Sequence, residues 1–200
     1  MKGNQLSYTI GDSLYLNLND RCTLECDFCP KTHGIKRVHE YDLTLDHRPE
    51  VEEIIAAIGD PSGYQQVVFC GFGEPTLRLK ALLKIAGYVK GHGGRTRINT
   101  DGLANLVHKR NVLPEMQPVI DALSISMNAQ NETLYNLHCR PQLKGSYRAM
   151  LAFLHEAPNY IDDVTATAID GLAGVDIAEC ERQARELGVK FRRRVLDAVG

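Results

Sequence analysis

Short β-rich segments alternate with longer helix-forming segments along most of this 200-residue chain. Each predicted strand spans five or six residues and is followed by a segment with helical periodicity. Six successive strand–helix units predict a parallel sheet with right-handed crossovers. The predicted strands cover residues 14–18, 66–70, 95–99, 122–127, 164–169 and 189–193.

The helix candidates between these strands carry start and stop signals. The first begins near Pro49 with an acidic first turn, and the second ends at Gly93 and Gly94. At this length a partial barrel of six strands fits better than a complete eight-stranded barrel. We therefore predict an α/β fold, a partial (β/α)6 barrel with a parallel sheet and helices outside, in a single domain over residues 1–200. The other helix candidates cover residues 102–110, 131–138, 146–157 and 176–188.

Several strands alternate between apolar and polar residues, although a parallel sheet that is buried on both faces normally has nearly continuous apolar strands. In the first strand Leu14 and Leu16 oppose Tyr15 and Asn17. The fourth and fifth strands place serines and threonines opposite apolar residues in the same way. We expect the apolar face to meet the helices and the polar face to line an interior that holds a ligand.

Three of the six cysteines stand together directly after the first strand, as Cys22, Cys26 and Cys29. Barrel and open α/β folds place their chemistry at this end of a strand. A [4Fe–4S] cluster usually takes four thiolates, so three thiolates leave one iron open to an outside ligand, as a catalytic cluster needs. The alternatives are a structural zinc site completed by His33 or His39, and three unrelated core cysteines.

The C-x3-C-x2-C spacing, with Phe28 before the last cysteine, resembles the signature of the radical S-adenosylmethionine (SAM) enzymes. The resemblance implies that Cys22, Cys26 and Cys29 are metal ligands with a catalytic role and that SAM binds the open iron. It also implies that the reduced cluster cleaves SAM to a 5'-deoxyadenosyl radical, which abstracts hydrogen from a substrate. An electron donor such as flavodoxin or ferredoxin is therefore an expected partner.

Four later strand ends resemble the SAM-binding segments of the same family. Residues 71–74 depart slightly from the family's Gly-Gly-Glu segment, but their glycines allow close approach and Glu74 offers a carboxylate to an ammonium group. Asp101 replaces the family's usual amide, and the glycines of residues 168–176 are expected to let the backbone approach adenine. Polar residues that merely cap strand ends are the alternative. The resemblance implies cofactor contacts for Phe28, Gly71, Phe72, Gly73, Glu74, Asn99, Thr100, Ser126 and Asn128.

The resemblance covers nearly the whole chain and is tightest to the TatD-associated radical SAM proteins. It rests there on the stretches YLNLNDRC, GFGEPTLRL, LSISMNA, YNLHCRP and GLAGVDIAEC. That subgroup takes its name from linkage with a TatD-type metal-dependent nuclease, which is an expected partner. Two alternatives stay open: an activase that installs a glycyl radical on a partner protein, and a non-catalytic iron–sulfur or zinc-binding partner of a nuclease.

The last predicted strand carries a basic face. Lys190, Arg192 and Arg194 share one face of it, and Phe191 lies on the other. Since the more apolar face should meet the helices, the basic face turns inward, where Arg97 joins it. Arginine suits carboxylate or phosphate groups, so this pattern predicts a small or locally anionic substrate. The alternative is that these arginines protect an exposed edge strand.

The remaining cysteines and histidines carry further predictions, and the overall composition argues against some classes of protein. We expect Cys70 and Cys180 to be core residues, Cys139 to be either structural or part of the active site, and the seven histidines to be solvated. A net charge of −2 gives no sign of bulk nucleic-acid binding. No apolar run approaches the roughly 20 residues of a membrane span. The first residues also lack the apolar core of a signal peptide, so we predict a cytoplasmic protein, in which thiols stay reduced. A tight cysteine cluster in a reduced compartment indicates a metal site.

Overall fold

A computed structural model describes residues 4–196, so the two ends of the domain predicted over residues 1–200 lie outside the described part. The main element is a seven-stranded sheet, and a two-stranded hairpin stands beside it. In chain order the strands are β1 (Ser7–Ile10), β2 (Ser13–Asn17), β3 (Arg37–Val38), β4 (Tyr41–Asp42), β5 (Gln66–Cys70), β6 (Thr96–Thr100), β7 (Ala122–Ser126), β8 (Asp163–Asp170) and β9 (Lys190–Val195).

Helices connect the strands of the large sheet. Short 3-10 turns at Pro30–His33, Pro61–Gly63, Pro75–Arg78 and Ala157–Asn159 precede or follow several of the other elements. The α-helices are α1 (Val51–Ile58), α2 (Leu79–Gly91), α3 (Ala104–His108), α4 (Leu113–Met116), α5 (Glu132–Cys139), α6 (Ser146–Glu156) and α7 (Ile177–Glu186).

The strand order of the large sheet is β1-β2-β5-β6-β7-β8-β9. Strand β1 pairs antiparallel with β2, and every later neighbour pairs parallel. The predicted α/β fold, an open partial barrel of parallel strands with helices, is confirmed. Strand β1, the β3–β4 hairpin and α4 were not predicted, and each of these elements is five residues long or shorter.

The first helix begins later than predicted. Glu50 is the N-cap of α1, and its backbone N–H donates to the Glu53 carboxylate at 2.7 Å. This reciprocal capping box satisfies amide groups that the first helical turn leaves unpaired. The helix therefore starts at Val51, and Pro49 lies before it.

The apolar faces of the strands form one large core with the helices, as predicted. Leu14, Leu16 and Val164 are buried in this core, together with Phe69 and Ile98 from the central strands. Side chains of the opposite, more polar face line a cavity. Within residues 4–196, no helix is long and apolar enough to cross a membrane.

Candidate active site

The polar face of the sheet and the segments that follow its parallel strands enclose a cavity of about 550 Å³. This volume falls within the range of sites that bind small molecules and cofactors. The structure brings every predicted cluster ligand and cofactor contact to this one cavity. They are Cys22, Cys26, Phe28, Cys29, Gly71, Phe72, Gly73, Glu74, Asn99, Thr100, Ser126 and Asn128.

The three cysteines lie in the cysteine loop, residues 18–29, which follows β2. Backbone bonds to a distant part of the chain hold this loop. The Glu25 N–H donates to the Cys139 carbonyl at 3.1 Å, and the Asp27 N–H donates to the His138 carbonyl at 2.9 Å. The loop is therefore fixed against the end of α5 by main-chain contacts, which depend little on side-chain identity.

The cavity environment favours the neutral form of two of the thiols. Burial raises the pKa of the Cys22 thiol to about 12, with Asp101 and Glu74 adding to the effect. The neighbouring Cys139 thiol, followed by burial, raises the pKa of the Cys26 thiol far above its usual range. A thiolate is the form that binds metal, so proton release from these thiols would accompany metal binding.

The two histidines that the zinc alternative requires lie at the surface. Both His33 and His39 are exposed, and the His33 ring lies 2.5 Å from the Asp27 carbonyl oxygen. Within residues 4–196, no group of three or more His, Cys, Asp or Glu side chains is arranged to hold a single metal ion.

The glycine segment after β5 packs directly on the cysteine loop. A Cβ atom built on Gly73 would lie 2.3 Å from the Asn19 carbonyl oxygen and 2.7 Å from the Arg21 carbonyl oxygen. The Glu74 N–H donates to that Arg21 carbonyl at 2.7 Å, and the Asn19 side chain donates to the Glu74 carbonyl at 3.1 Å. Only glycine permits this separation, so Gly73 is what lets the two segments share one wall.

Glu74 is buried and already accepts four hydrogen bonds. Its Oε1 accepts from the Thr76 N–H, the Thr76 hydroxyl and the Thr100 hydroxyl at 3.0, 2.7 and 2.9 Å. Its Oε2 accepts from the Asp101 N–H at 2.8 Å. These donors fix the carboxylate at the cavity wall, where it faces whatever binds there with a set orientation.

Asp101 adds a second buried carboxyl group beside Glu74. Its side chain accepts from the Thr23 hydroxyl at 2.9 Å and from the Leu103 N–H at 2.9 Å. Burial and the neighbouring Glu74 charge raise the pKa of Asp101 well above its usual range. Through Thr23, Asp101 also connects the end of β6 to the cysteine loop, a role that the sequence analysis did not predict for it.

Two predicted contact residues present unpartnered polar atoms. The side-chain oxygens of Asn99 and Asn128 are buried and lack a hydrogen-bond partner. Asn128 also has a φ of 61°, a left-handed conformation that asparagine tolerates better than most residues. Buried polar groups normally have partners, so these oxygens suit a ligand that supplies hydrogen-bond donors.

The sequence matches the model of a known protein family. The family model of the radical SAM superfamily matches residues 16–187. The chain belongs to the radical SAM superfamily. Proteins of this superfamily use a [4Fe–4S] cluster and SAM. No curated protein matches the sequence.

Solved radical SAM structures resemble the fold at low sequence identity. The chain aligns with Streptococcus suis SuiB bound to precursor peptide SuiA at a TM-score of 0.72 and 14% identity, covering 96% of this chain and 40% of SuiB. For TYW1 with a lysine-pyruvate adduct bound, the values are 0.64 and 15%, with coverage of 92% and 64%. For a radical SAM methyltransferase from Sphaerobacter thermophilus they are 0.62 and 14%, with coverage of 94% and 68%. The chain thus spans less than two thirds of SuiB and of TYW1.

The described residues fit the radical SAM cofactors. Three thiols converge on one cavity, a buried carboxylate stands beside them, and the unpartnered oxygens of Asn99 and Asn128 lie in the same cavity. The glycines expected near adenine are a different case, because Thr167 lines the cavity but neither Gly171 nor Gly174 is among its lining residues. The backbone of Gly174 instead accepts a hydrogen bond from the Gln130 side chain at 3.0 Å.

Cys70 and His138 differ from expectation in this radical SAM site. Cys70 lines the cavity instead of the core, and the Asn99 side chain donates to its sulfur at 3.5 Å. His138 is buried, not solvated, and its two ring nitrogens lie 3.0 Å from Asp27 Oδ2 and 2.9 Å from the Ala173 carbonyl oxygen. It thereby ties the cysteine loop to the segment after β8.

The two other cysteines are buried. Cys139 is fully buried, and its sulfur accepts from the Asn128 side chain at 3.4 Å, so it borders the site. Cys180 lies on the buried face of α7 and belongs to the core, as predicted.

The end of the cavity opposite the cysteines is basic and aromatic. Arg97, Arg192 and Arg194 line it, so the predicted inward orientation is found for the arginines. Lys190, which was also predicted to turn inward, is exposed and pairs with Asp163. Tyr15 lines the same region and stacks on Tyr8 with ring centroids 5.4 Å apart. Tyr8 belongs to β1, which the sequence analysis did not predict, so this aromatic wall was missed.

Proposed function

We propose that the protein is a radical SAM enzyme that acts on a substrate bound in the cavity. When bound, the [4Fe–4S] cluster and SAM supply reductive cleavage of SAM to a 5'-deoxyadenosyl radical, which abstracts hydrogen from the substrate. The observation that carries the proposal is the convergence of three loop cysteines and a buried carboxylate on one cavity.

The proposed roles follow the positions of the residues. Cys22, Cys26 and Cys29 hold the cluster through thiolates. Glu74 faces the methionine ammonium group, because its carboxylate is fixed at the wall beside the cysteines. The main-chain contacts of the cysteine loop keep the three sulfurs in place before the cluster binds.

Further polar residues are proposed to orient the ribose and the amino-acid portion of SAM. Asn99, Ser126 and Asn128 offer side-chain groups to the ribose and amino-acid portions, and Thr100 holds Glu74. Phe28, Gly71, Phe72 and Gly73 shape the wall and keep water from the reacting atoms.

The substrate is proposed to be small or locally anionic. The arginine end of the cavity supports this, because guanidinium groups suit carboxylate or phosphate and the cavity volume lies in the range of small-molecule sites. The glycyl-radical activase remains the second enzyme candidate, and the non-catalytic iron–sulfur or zinc partner of a nuclease remains the non-enzyme candidate. The cavity-facing Glu74 favours an enzyme over the latter, because a structural module needs no ammonium site.

Several finer assignments belong to the same proposal. The similarity to TatD-associated proteins, and with it a TatD-type nuclease partner, rests on the quoted sequence stretches alone. A flavodoxin or ferredoxin is the proposed electron donor. The six free cysteines suit the proposed cytoplasmic location, and a single radical SAM domain over residues 1–200 is proposed on the basis of the 16–187 match.

Anaerobic reconstitution followed by SAM binding and SAM cleavage tests the proposal. The reduced protein should bind one [4Fe–4S] cluster and form 5'-deoxyadenosine slowly without substrate. Glu74→Gln should weaken SAM binding about tenfold or more while it changes iron content little, because it removes the charge that faces the ammonium. Binding is measured by equilibrium dialysis and cleavage by chromatography.

Thr100→Val is the matched control for Glu74→Gln. It removes one hydrogen bond to the carboxylate and leaves its charge, so SAM affinity should fall less. Stoichiometric zinc without sulfide in protein purified without air would overturn the cluster assignment. Unchanged SAM affinity in Glu74→Gln would overturn the role of Glu74.

A further inference from the structure

Three arginines from two strands meet on the inner face of the sheet. The register places Arg192 of β9 beside Thr167 of β8, and Arg194 two residues further along the same strand. Arg97 comes from β6, three strands away in the sheet order. The Arg192 side chain spans part of this gap, since its Nη2 donates to the Ser124 hydroxyl of β7 at 3.1 Å. All three side chains line the same cavity, and Arg192 lies close enough to Arg97 and Arg194 for their charges to act on it.

These arginines lack the carboxylate partners that their neighbours have. Lys190 pairs with Asp163 at 3.0 Å, and Arg193 pairs with Asp170. In the described part of the chain, none of the three cavity arginines forms an ion pair.

The hydrogen bonds of Arg97 are incomplete as well. Its Nη2 donates to the Tyr15 hydroxyl at 3.3 Å, but its buried Nε has no hydrogen-bond partner. A buried donor of a charged group is costly to leave unpaired, so an acceptor at this point would be stabilising.

The arginines also repel one another. Burial, and then the charges of Arg97 and Arg194, lower the pKa of the Arg192 guanidinium. Arginine stays charged in proteins, so three positive charges are held together without a paired carboxylate among residues 4–196. An anion that enters this end gains from all three charges, and a doubly charged anion gains more than a singly charged one.

We propose that Arg97, Arg192 and Arg194 bind the phosphate group of a small phosphate monoester, which is the substrate. This assignment rests on the proposed radical SAM function and names the substrate class for it. A phosphate has three terminal oxygens for guanidinium forks and two negative charges, whereas a carboxylate offers two oxygens and one charge. The Ser124 and Tyr15 hydroxyls stand next to two of the arginines as neutral partners.

The cavity then orients the substrate by charge at both ends. Glu74 makes the cofactor end acidic, and the arginines make the other end basic. A phosphate held at the basic end directs the carbon atoms of the ester toward Asn99 and Cys70, which lie between the two ends.

Isothermal titration of the anaerobically reconstituted full chain with inorganic phosphate, glycerol 3-phosphate and acetate tests this inference at constant ionic strength. Phosphate and glycerol 3-phosphate should bind with a Kd below about 1 mM, and acetate at least tenfold more weakly. Arg192→Gln and Arg194→Gln should each weaken phosphate binding about tenfold or more. Arg192→Lys keeps the charge but loses the fork, so its loss should be smaller.

Arg193→Gln is the matched control, because Arg193 lies on the same strand, faces outward and pairs with Asp170. It should leave phosphate affinity within twofold. The inference is overturned if the parent binds no phosphate, if acetate binds equally well, if glycerol 3-phosphate fails to bind, or if both Arg192→Gln and Arg194→Gln keep parental affinity.

Iron content and SAM binding are measured on the same preparations. Parental SAM binding with no phosphate binding overturns only the substrate class. Failure to bind a cluster or SAM overturns the proposed function itself.

Discussion

The two ends of the cavity are built in opposite ways. At the cysteine end, loops are fastened to each other through main-chain bonds, and the Glu74 carboxylate already accepts four hydrogen bonds. At the arginine end, side chains stand on regular strands, and Arg97, Arg192 and Arg194 have no ionic partner within residues 4–196.

The cysteine end is preorganised for its ligand, whereas the charges at the arginine end are balanced only when a ligand binds. Groups that are fixed by internal bonds lose little freedom when a ligand arrives, which suits a cofactor that must always sit in one position. Groups that repel one another gain most from the ligand itself, which favours occupancy by one class of anion. The polar face of one sheet therefore supports two kinds of site. The preorganised end, formed by the cysteine loop and Glu74, is called the constant end, and the arginine end is the one that can differ between substrates.

The largest expected effect comes from the cysteines, and it tests whether the constant end is a cluster site. Alanine at Cys22, Cys26 or Cys29 should abolish the [4Fe–4S] cluster, because a cubane held by two thiolates lacks a protein ligand that it needs. Cys70→Ala and Cys180→Ala should retain it. Iron and sulfide analysis after anaerobic reconstitution measures this, and equal iron in all five variants would contradict the assignment.

The next effect concerns the close packing of the constant end. Gly73→Ala should destabilise the fold by about 1–3 kcal/mol and reduce cluster loading, because its Cβ has no space beside the Asn19 carbonyl oxygen. Urea denaturation of the metal-free protein measures the free energy of unfolding. Gly63→Ala is the control, since a Cβ there meets nothing within 4 Å. Similar stabilities of the two variants would mean that the wall is not closely packed.

The smallest effect concerns the charge of the constant end. The pKa of Asp101 is raised in the folded state by burial and by Glu74, so the folded protein binds more protons than the unfolded chain above about pH 4. Stability contributed at this site therefore falls as pH rises. Asp101→Asn should be more thermostable than the parent at pH 7, and the difference should shrink toward pH 4.

Asp121→Asn serves as the control, because its expected change in Tm at pH 7 has the opposite sign. Although burial opposes it, hydrogen bonds from Lys90 and Thr96 lower the pKa of Asp121. That carboxylate stabilises the protein above its unfolded pKa, so the variant should melt below the parent at pH 7. A Tm difference for Asp101→Asn that does not change with pH would show that its charge is unimportant.

Much of the fold was predictable because most strands and helices of this chain are long enough for their periodic pattern of apolar residues to be recognised. The predicted strand at residues 66–70 coincides with β5, and the other five differ from the observed strands by one or two residues at an end. Strand β1 and the β3–β4 hairpin contain too few residues for a period-two pattern to be recognised. They carry Tyr8 and Val38, which form part of the cavity wall.

The site was predictable where it follows strand alternation and motif position. The inward orientation of Arg192 and Arg194 followed from residues two apart on one strand. The hydrogen bond between Thr23 and Asp101 joins residues 78 positions apart, and no local pattern in the sequence indicates such a contact. The burial of His138 likewise depends on Asp27, which is 111 positions away.

That separation also sets the order of events during synthesis. The cysteine loop emerges from the ribosome well before the end of α5, whose main chain holds it through the bonds of Glu25 and Asp27. At ordinary translation speeds the 111 residues between Asp27 and His138 take roughly 5–20 s to make. During that interval the end of α5 does not yet hold the cysteine loop. Iron that arrives then meets three thiols that are not yet arranged as a binding site.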